Sequence, residues 1–348
     1  MRAPSPTDAP KPIRIAVHTV AAALLVLMPL GGADAQTDTA AVRTSPHGAA
    51  PAAGYTPHRV YDVAAGSFTD FESLAARAAA ADVVFFGERH GHGPTHRMQH
   101  ALLQALARRG AATLSMEMFE RDVADVVSGY AGGDVDHETF LAEARPWSRY
   151  FPDYHPLVEE ARSRGWEVVA ANVPRAIANR IAQEGLAVLD DMEPGERRHA
   201  AAELSCPDDD YRRRFVEEMT RHPSADTTDA EADARRLQRF YEAQCVKDET
   251  MAEAIASAID AGAARPVVHM TGAFHSDHGD GIPVRLLRRA PGLDIVSVTS
   301  VTVDDLDAAD PATHLERADY LLFTLATPPL GRPASEEPTE PVPPGDDG

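Results

Sequence analysis

Two short segments share the spacing Gly-x-x-His: Gly87-Glu88-Arg89-His90 and Gly272-Ala273-Phe274-His275. Imidazole titrates near neutral pH, so it can ligate a metal, take up a proton or bond a carboxylate. Glycine tolerates a sharp backbone path at a strand end, and a histidine three residues on can turn back over the sheet. Glu88, Glu117 and Asn172 stand at the ends of similar apolar runs. Such a set fits a metal-dependent or general-base hydrolase. In that reading His90 and His275 hold a divalent metal ion or activate water, Glu117 orients the base, and Glu88 completes the catalytic group.

These residues need elements that bring them together. Val83-Val84-Phe85-Phe86, Thr113-Leu114-Ser115-Met116, Glu167-Val168-Val169-Ala170, Val267-Val268-His269-Met270, Ile295-Val296-Ser297-Val298 and Tyr320-Leu321-Leu322-Phe323 read as strands. Most are continuously apolar, as parallel strands covered on both faces should be. Amphipathic patterns over 69–81, 94–109, 119–130, 154–164 and 174–183 read as helices. The alternation predicts an α/β fold, a mainly parallel sheet sandwiched by helices. Open parallel sheets build their sites beyond the carboxyl ends of the strands. Glu88, His90, Glu117, Asn172 and His275 are therefore expected on one rim. Residues 185–263 hold no strand pattern and a long helical one from Ala230 to Ala261. They read as a helical insertion or lid between the third and fourth strands of a domain spanning 61–326.

Lys and Arg number 33 against 54 Asp and Glu, a net charge of −21. That excess excludes a sequence-independent nucleic-acid binder, which needs a basic footprint on phosphates. Two cysteines exclude a Cys₄ zinc site, a four-thiolate iron–sulfur cluster and a disulfide-dense scaffold. Arg2, Lys11 and Arg14, an apolar middle ending at Leu30, and Ala33-Asp34-Ala35 describe a cleavable secretory signal over 1–35. The apolar run falls short of the ~20 residues of a membrane span. No cysteine at the cleavage point offers a lipid anchor, so the expected product is soluble and periplasmic or otherwise extracytoplasmic, with no stable membrane span. Export favours pairing of Cys206 with Cys245 between two helices; the alternative is two small core residues. Residues 36–60 read as a flexible lead-in and 327–348 as a disordered, proline-rich acidic tail.

Gly87-Glu88-Arg89-His90, Thr95-His96-Arg97-Met98-Gln99, Glu117-Met118-Phe119, Ala171-Asn172-Val173-Pro174-Arg175, Gln244, Asp248-Glu249-Thr250-Met251-Ala252, and Gly272-Ala273-Phe274-His275 with Gly281-Ile282-Pro283 together resemble the ChaN-type haem-binding proteins. Those belong to a wider group with the Tiki metalloproteases, TraB proteins and erythromycin-esterase-like hydrolases. The resemblance covers roughly residues 60–326, in order. It implies an envelope protein of haem and iron acquisition, with haem as cofactor and an envelope haem-uptake system as partner. It also implies iron held through a tyrosine, with histidine near the propionates. Family members tend to be lipoproteins, from which this chain departs.

The tyrosine is sought in Trp147-Ser148-Arg149-Tyr150-Phe151-Pro152-Asp153-Tyr154-His155-Pro156, an aromatic loop suited to a flat macrocycle. Tyr154, which opens the following helix, is the first choice and Tyr150 the second. The alternative is two tyrosines wedging a loop onto the core with satisfied hydroxyls. Arg89, Arg97 and Arg175 are expected propionate partners, because guanidinium forks match carboxylates. His90, His96, His275 and Asn172 complete the haem set. A surface groove would leave one face of the macrocycle wet, which a homodimer would cover. His92, His96 and His100 share a helix face, but Arg97 stands where a zincin needs Glu, so that peptidase class is excluded. Neither a phosphate loop nor a Gly-x-Ser-x-Gly nucleophile elbow is present.

Overall fold

The computed structural model describes residues 55–221 and 230–326. The expected signal segment, residues 36–54 of the lead-in, and the tail 327–348 lie outside the described residues. In chain order the strands are β1 (His58–Asp62), β2 (Ser67–Thr69), β3 (Val83–Glu88), β4 (Thr113–Glu120), β5 (Val168–Asn172), β6 (Val267–Gly272), β7 (Ile295–Val303) and β8 (Tyr320–Leu325). The first helices are α1 (Phe71–Ala80), α2 (Gly93–Ala107), α3 (Ala124–Gly132), α4 (His137–Glu143), α5 (His155–Ser163) and α6 (Arg175–Glu184). There follow α7 (Pro194–Arg197), α8 (Asp210–Arg221), α9 (Ala230–Asp260), α10 (Ala273–Ser276) and α11 (Ile282–Arg289).

All strands join one sheet in the order β2-β1-β8-β7-β3-β6-β4-β5. The pairs from β8 to β5 are parallel; β1 is antiparallel to β8 and β2 to β1. The expected α/β class and the six apolar strands are present. Alternation along each strand feeds two cores. Val84 and Phe86 pack with α1, α2, α3 and α5 on one face, while Val83 and Phe85 pack with α9 and α11 on the other.

Three boundaries differ from expectation. β1 begins inside the expected lead-in, so the 60/61 boundary cuts a strand. His58-Arg59-Val60-Tyr61-Asp62 buries only Val60, and such a half-exposed edge strand leaves little apolar signal. The expected helix 119–130 starts later, because Phe119 is buried in the core and β4 runs on to Glu120 before α3. α1 starts at Phe71 because the Asp70 carboxylate accepts from the Ser73 backbone N–H at 2.7 Å, an N-cap.

The helical insertion lies where expected, between β5 and β6. It is more than a lid: Met251, Ala252 and Ile255 of α9 pack against Val83, Phe85 and Val267 as one of the two helical layers. Cys206 and Cys245 form a disulfide with Cα atoms 5.7 Å apart. It ties the loop before α8 to α9, rather than two helices. Among the described residues no helix is long and apolar enough to cross a membrane.

Candidate functional site

β3, β6 and β4 lie side by side, so their carboxyl ends deliver Glu88, Gly272 and Glu117 to one edge. Pairing of β4 with β5 is in register at Met116 and Ala170 and resumes at Glu120 and Asn172. That irregularity re-aims the strand around Glu117, as bulges beside sites do. A Cβ on Gly87 would stand 2.9 Å from Ser276 Oγ and 3.0 Å from Ala273 Cα. A Cβ on Gly272 would stand 3.0 Å from His90 Nε2 and 3.6 Å from Glu117 Oε2. Each glycine of the paired motif thus makes room for the other segment. Neither adopts a positive φ, so close approach, not backbone freedom, explains them.

Glu88 is the hub of one half of the rim. Its Oε1 accepts from His90 Nδ1 at 2.8 Å and from the Tyr154 hydroxyl at 2.7 Å. Its Oε2 accepts from Gln99 Nε2 at 2.7 Å and faces His96 Nδ1 at 3.4 Å. Burial pushes the Glu88 carboxyl up, but the bonds and charges of His90 and His96 outweigh it and hold the group below its ordinary range. His90 is shifted up: burial opposes its charge, and the Glu88 bond with the Glu117 and Glu88 charges prevails.

Glu117 organises the other half. Its Oε2 accepts from Thr271 Oγ1 at 2.8 Å and Gly272 N at 2.7 Å, and its Oε1 lies 3.4 Å from His275 Nε2. His275 Nδ1 lies 2.5 Å from Asp248 Oδ1, and the Tyr211 hydroxyl donates to Asp248 Oδ2 at 2.5 Å. Burial works against the imidazolium, yet the Glu117 and Asp248 carboxylates raise His275 to about 9. Glu117 is driven well below the carboxylate range, the His275 charge overcoming burial. Beneath them His269 is wholly buried, which lowers it to about 3 and keeps it neutral. Its Nδ1 meets Ser115 Oγ at 2.9 Å.

The His90 side chain is half-exposed on the rim. Trp147 meets the His90 ring edge-on, centroids 5.2 Å apart. Trp147 also lines a cavity of ≈ 740 Å³ with Arg145, Pro146, Pro174, Arg175 and Ala176. Arg145 is held by Glu120 at 2.8 Å and Asp122 at 2.5 Å. Arg175 is exposed and makes no hydrogen bond or ion pair among the described residues.

The expected rim set does meet. Glu88, His90, Glu117 and His275 are linked, and Asn172 adjoins them in a different capacity. Its Nδ2 donates to the Glu117 carbonyl and its Oδ1 accepts from Val173 N, so both ends clamp backbone. Arg97 donates to Thr56 Oγ1 on the β1 side, away from this group. Arg89 is exposed on the rim segment itself. His96 is buried below, Nδ1 at 2.9 Å from Gln99 Oε1 and Nε2 at 3.6 Å from Asp153.

The tyrosines require a correction. Residues Tyr150–Tyr154 form a π-helical turn leading into α5, and both phenols are buried. Tyr154, 1% exposed, spends its hydroxyl on Glu88. Tyr150 packs against Phe119 and Phe140. Burial raises both far above the usual phenol range, so neither presents a phenolate. Tyr154 matches the wedge alternative in full, whereas the buried Tyr150 hydroxyl has no hydrogen-bond partner among the described residues. His90, His275 and Glu117 do not bring three potential ligand atoms within 4.8 Å of one another, whereas His137, His155 and Glu159 do, alone among the described residues.

Asp248, Tyr211, Gln99 and Trp147 escaped assignment from the sequence. Asp248 carried no local signal: Lys247, Glu249 and Glu253 share its segment, and only the fold shows that Asp248 and Glu249 are buried and need partners. Glu249 finds its own in Arg288 and Arg289, a structural clamp.

A family model described as haem-binding uptake, Tiki superfamily, ChaN matches residues 74–286. Among solved structures, a cofacial haem complex of ChaN from Campylobacter jejuni is similar with a TM-score of 0.59 at 17% identity, over 77% of this chain and 96% of that one. A Bacillus cereus protein scores 0.43 at 12% identity, covering 73% and 90%. An erythromycin esterase in its open conformation scores 0.40 at 13%, covering 71% and 77%. A search among curated proteins finds no match.

Proposed function

We propose that this chain, which belongs to the haem-binding uptake family of ChaN within the Tiki superfamily, binds haem in the hollow beside His90 and serves haem and iron acquisition outside the cytoplasm. One observation carries this reading. A half-exposed imidazole, fixed by a buried carboxylate, is flanked by Trp147, which with the unpaired Arg175 lines an open ≈ 740 Å³ hollow.

The residues fit the group in part. Trp147, Pro146, Pro174 and Ala176 offer apolar surface to a flat ring, and Arg175 offers a fork to a propionate. Bound haem would supply an iron with positions open to a protein donor. His90 is the accessible donor on this rim; the tyrosine ligand expected from the family is not at hand in Tyr150 or Tyr154. Glu88 holds Nδ1 of His90, which fixes the ring and keeps the electron density on its other nitrogen.

The basic, apolar and Ala-x-Ala leader together with the Cys206–Cys245 bridge supports an oxidising, extracytoplasmic location. Transfer to an envelope uptake system and a homodimer that covers the open haem face complete the reading. Haemin titration of the mature protein tests it. The expected result is a Soret shift whose affinity falls about tenfold in Arg175→Ala, which loses one charge-assisted contact, and at least as far in His90→Ala, which loses the iron donor. Tyr154→Phe should leave the affinity unchanged. An absent shift, or a His90→Ala, Arg175→Ala double variant that binds like wild type, overturns the proposal.

General-base hydrolysis keeps one favourable observation, a His90–Glu88 pair with the form of an oriented base. Glu117 and His275 do not extend it, since both are buried and bonded inward. Ester hydrolysis by the haem-free protein that disappears in His90→Ala would favour this second reading.

A further inference from the structure

The aromatic segment that fails as a haem ligand set does something else on its other side. His155 and Glu159 stand four residues apart on α5 and share a face of that helix. His137 is the first residue of α4, set by the Asp136 carboxylate, which accepts from Thr139 N at 2.8 Å. One potential ligand atom from each of the three lies within 4.8 Å of the other two. We propose that His137, His155 and Glu159 form a binding site for a divalent transition-metal ion of the zinc type, separate from the rim.

Chemistry, support and access each point this way. Two imidazoles and a carboxylate are the donor set of open zinc sites, with a fourth position left for water or another ligand. All three side chains are half-buried, so an ion can enter from solvent yet meets a partly dehydrated site. Tyr130 buttresses two of the ligands. Its hydroxyl donates to Glu159 Oε1 and lies 2.8 Å from His137 Nδ1. With its one proton spent on Glu159, Tyr130 accepts from Nδ1–H, an assignment that leaves the lone pair of His137 on Nε2. Such outer contacts fix tautomer and ring orientation at metal sites.

Packing holds the rings as well. The Tyr130 ring stacks on Phe140 at 4.3 Å between centroids, and His155 meets Tyr150 edge-on at 5.5 Å. Arg162 lies over Tyr130 with Nη1 3.7 Å from Glu159 Oε2, a charge that balances the carboxylate when no cation is bound.

Zinc chloride titrated into the chelator-stripped full chain by calorimetry, with zinc counted by mass spectrometry after dialysis, tests the site. Wild type should retain one equivalent. His155→Ala and His137→Ala should lose it, and Tyr130→Phe, acting through its neighbours, should weaken it by about tenfold. Glu159→Gln, nearly isosteric, serves if a histidine variant fails to fold, and it too should lose the ion. His90→Ala should keep it. No retained zinc, undiminished zinc in Glu159→Gln, or zinc lost from His90→Ala would each overturn the proposal.

Discussion

His90 and His275 come from turns with the same spacing, each bonded through Nδ1 to a carboxylate, yet they occupy opposite environments. Of the His90 side chain 47% is exposed; of His275, 7%. His90 has one close carboxylate and an aromatic neighbour at the mouth of a cavity. His275 is enclosed by Glu117 and Asp248, from β4 and α9, with Gln244 3.3 Å away. The difference teaches that one motif can present a group outward while its copy locks the elements behind it. His275 ties the helical insertion to the sheet; His90 faces solvent.

The largest effect should come from cutting that lock. His275→Ala leaves Glu117 and Asp248 buried without their shared cation, and stripping one partner from a buried charge set costs about 3–5 kcal/mol. His90→Ala exposes Glu88 to a replacement by water and should cost far less. Denaturant unfolding of both variants checks the contrast. Equal losses would mean that the two turns do the same work.

Titration sharpens the comparison next. The folded pKa of His275, about 9, lies above its ordinary value near 6.5. Its contribution to stability is therefore complete below about pH 6.5 and is lost as pH rises through about 9. Glu117 works in the other direction: its depressed pKa contributes stability above the usual carboxylate range, lost as the medium turns acid. Melting temperatures of the wild type should fall between pH 7 and 10, and His275→Gln should flatten that fall. His90→Gln should leave most of it, since a half-exposed group is screened by solvent.

Much of this was legible in the sequence because strands and strand ends leave local traces. Continuous apolar runs gave β3 to β8, and polar residues just beyond them gave the rim. β1 escaped because an edge strand with one buried residue has no pattern to find. Tyr154 was misplaced for a different reason. Aromatic residues beside prolines read alike whether they line a groove or fill a core, and the choice was made by Glu88, 66 residues away in sequence. Asp248 was hidden in the same manner, its partner His275 being 27 residues downstream on another element. Local sequence records which residue types could meet; the long-range contacts decide which of them are sealed.

The two glycines supply the smallest and most discriminating test. At Gly87 an added methyl meets backbone, Ala273 Cα at 3.0 Å, besides Ser276 Oγ, and neither segment can withdraw without moving α10 from the end of β3. Gly87→Ala should therefore cost about 1–3 kcal/mol, the range for overpacking a close contact. At Gly272 the methyl meets the far end of the His90 ring, which can turn toward solvent. Gly272→Ala should barely change stability, yet it displaces His90 from Glu88 and Trp147. Haemin affinity should then fall by up to about tenfold, 1.4 kcal/mol. Thermal melts and Soret titrations on the same two variants separate the effects. Stability lost at Gly272 with affinity intact would reverse the assignment of the outward-facing role to His90.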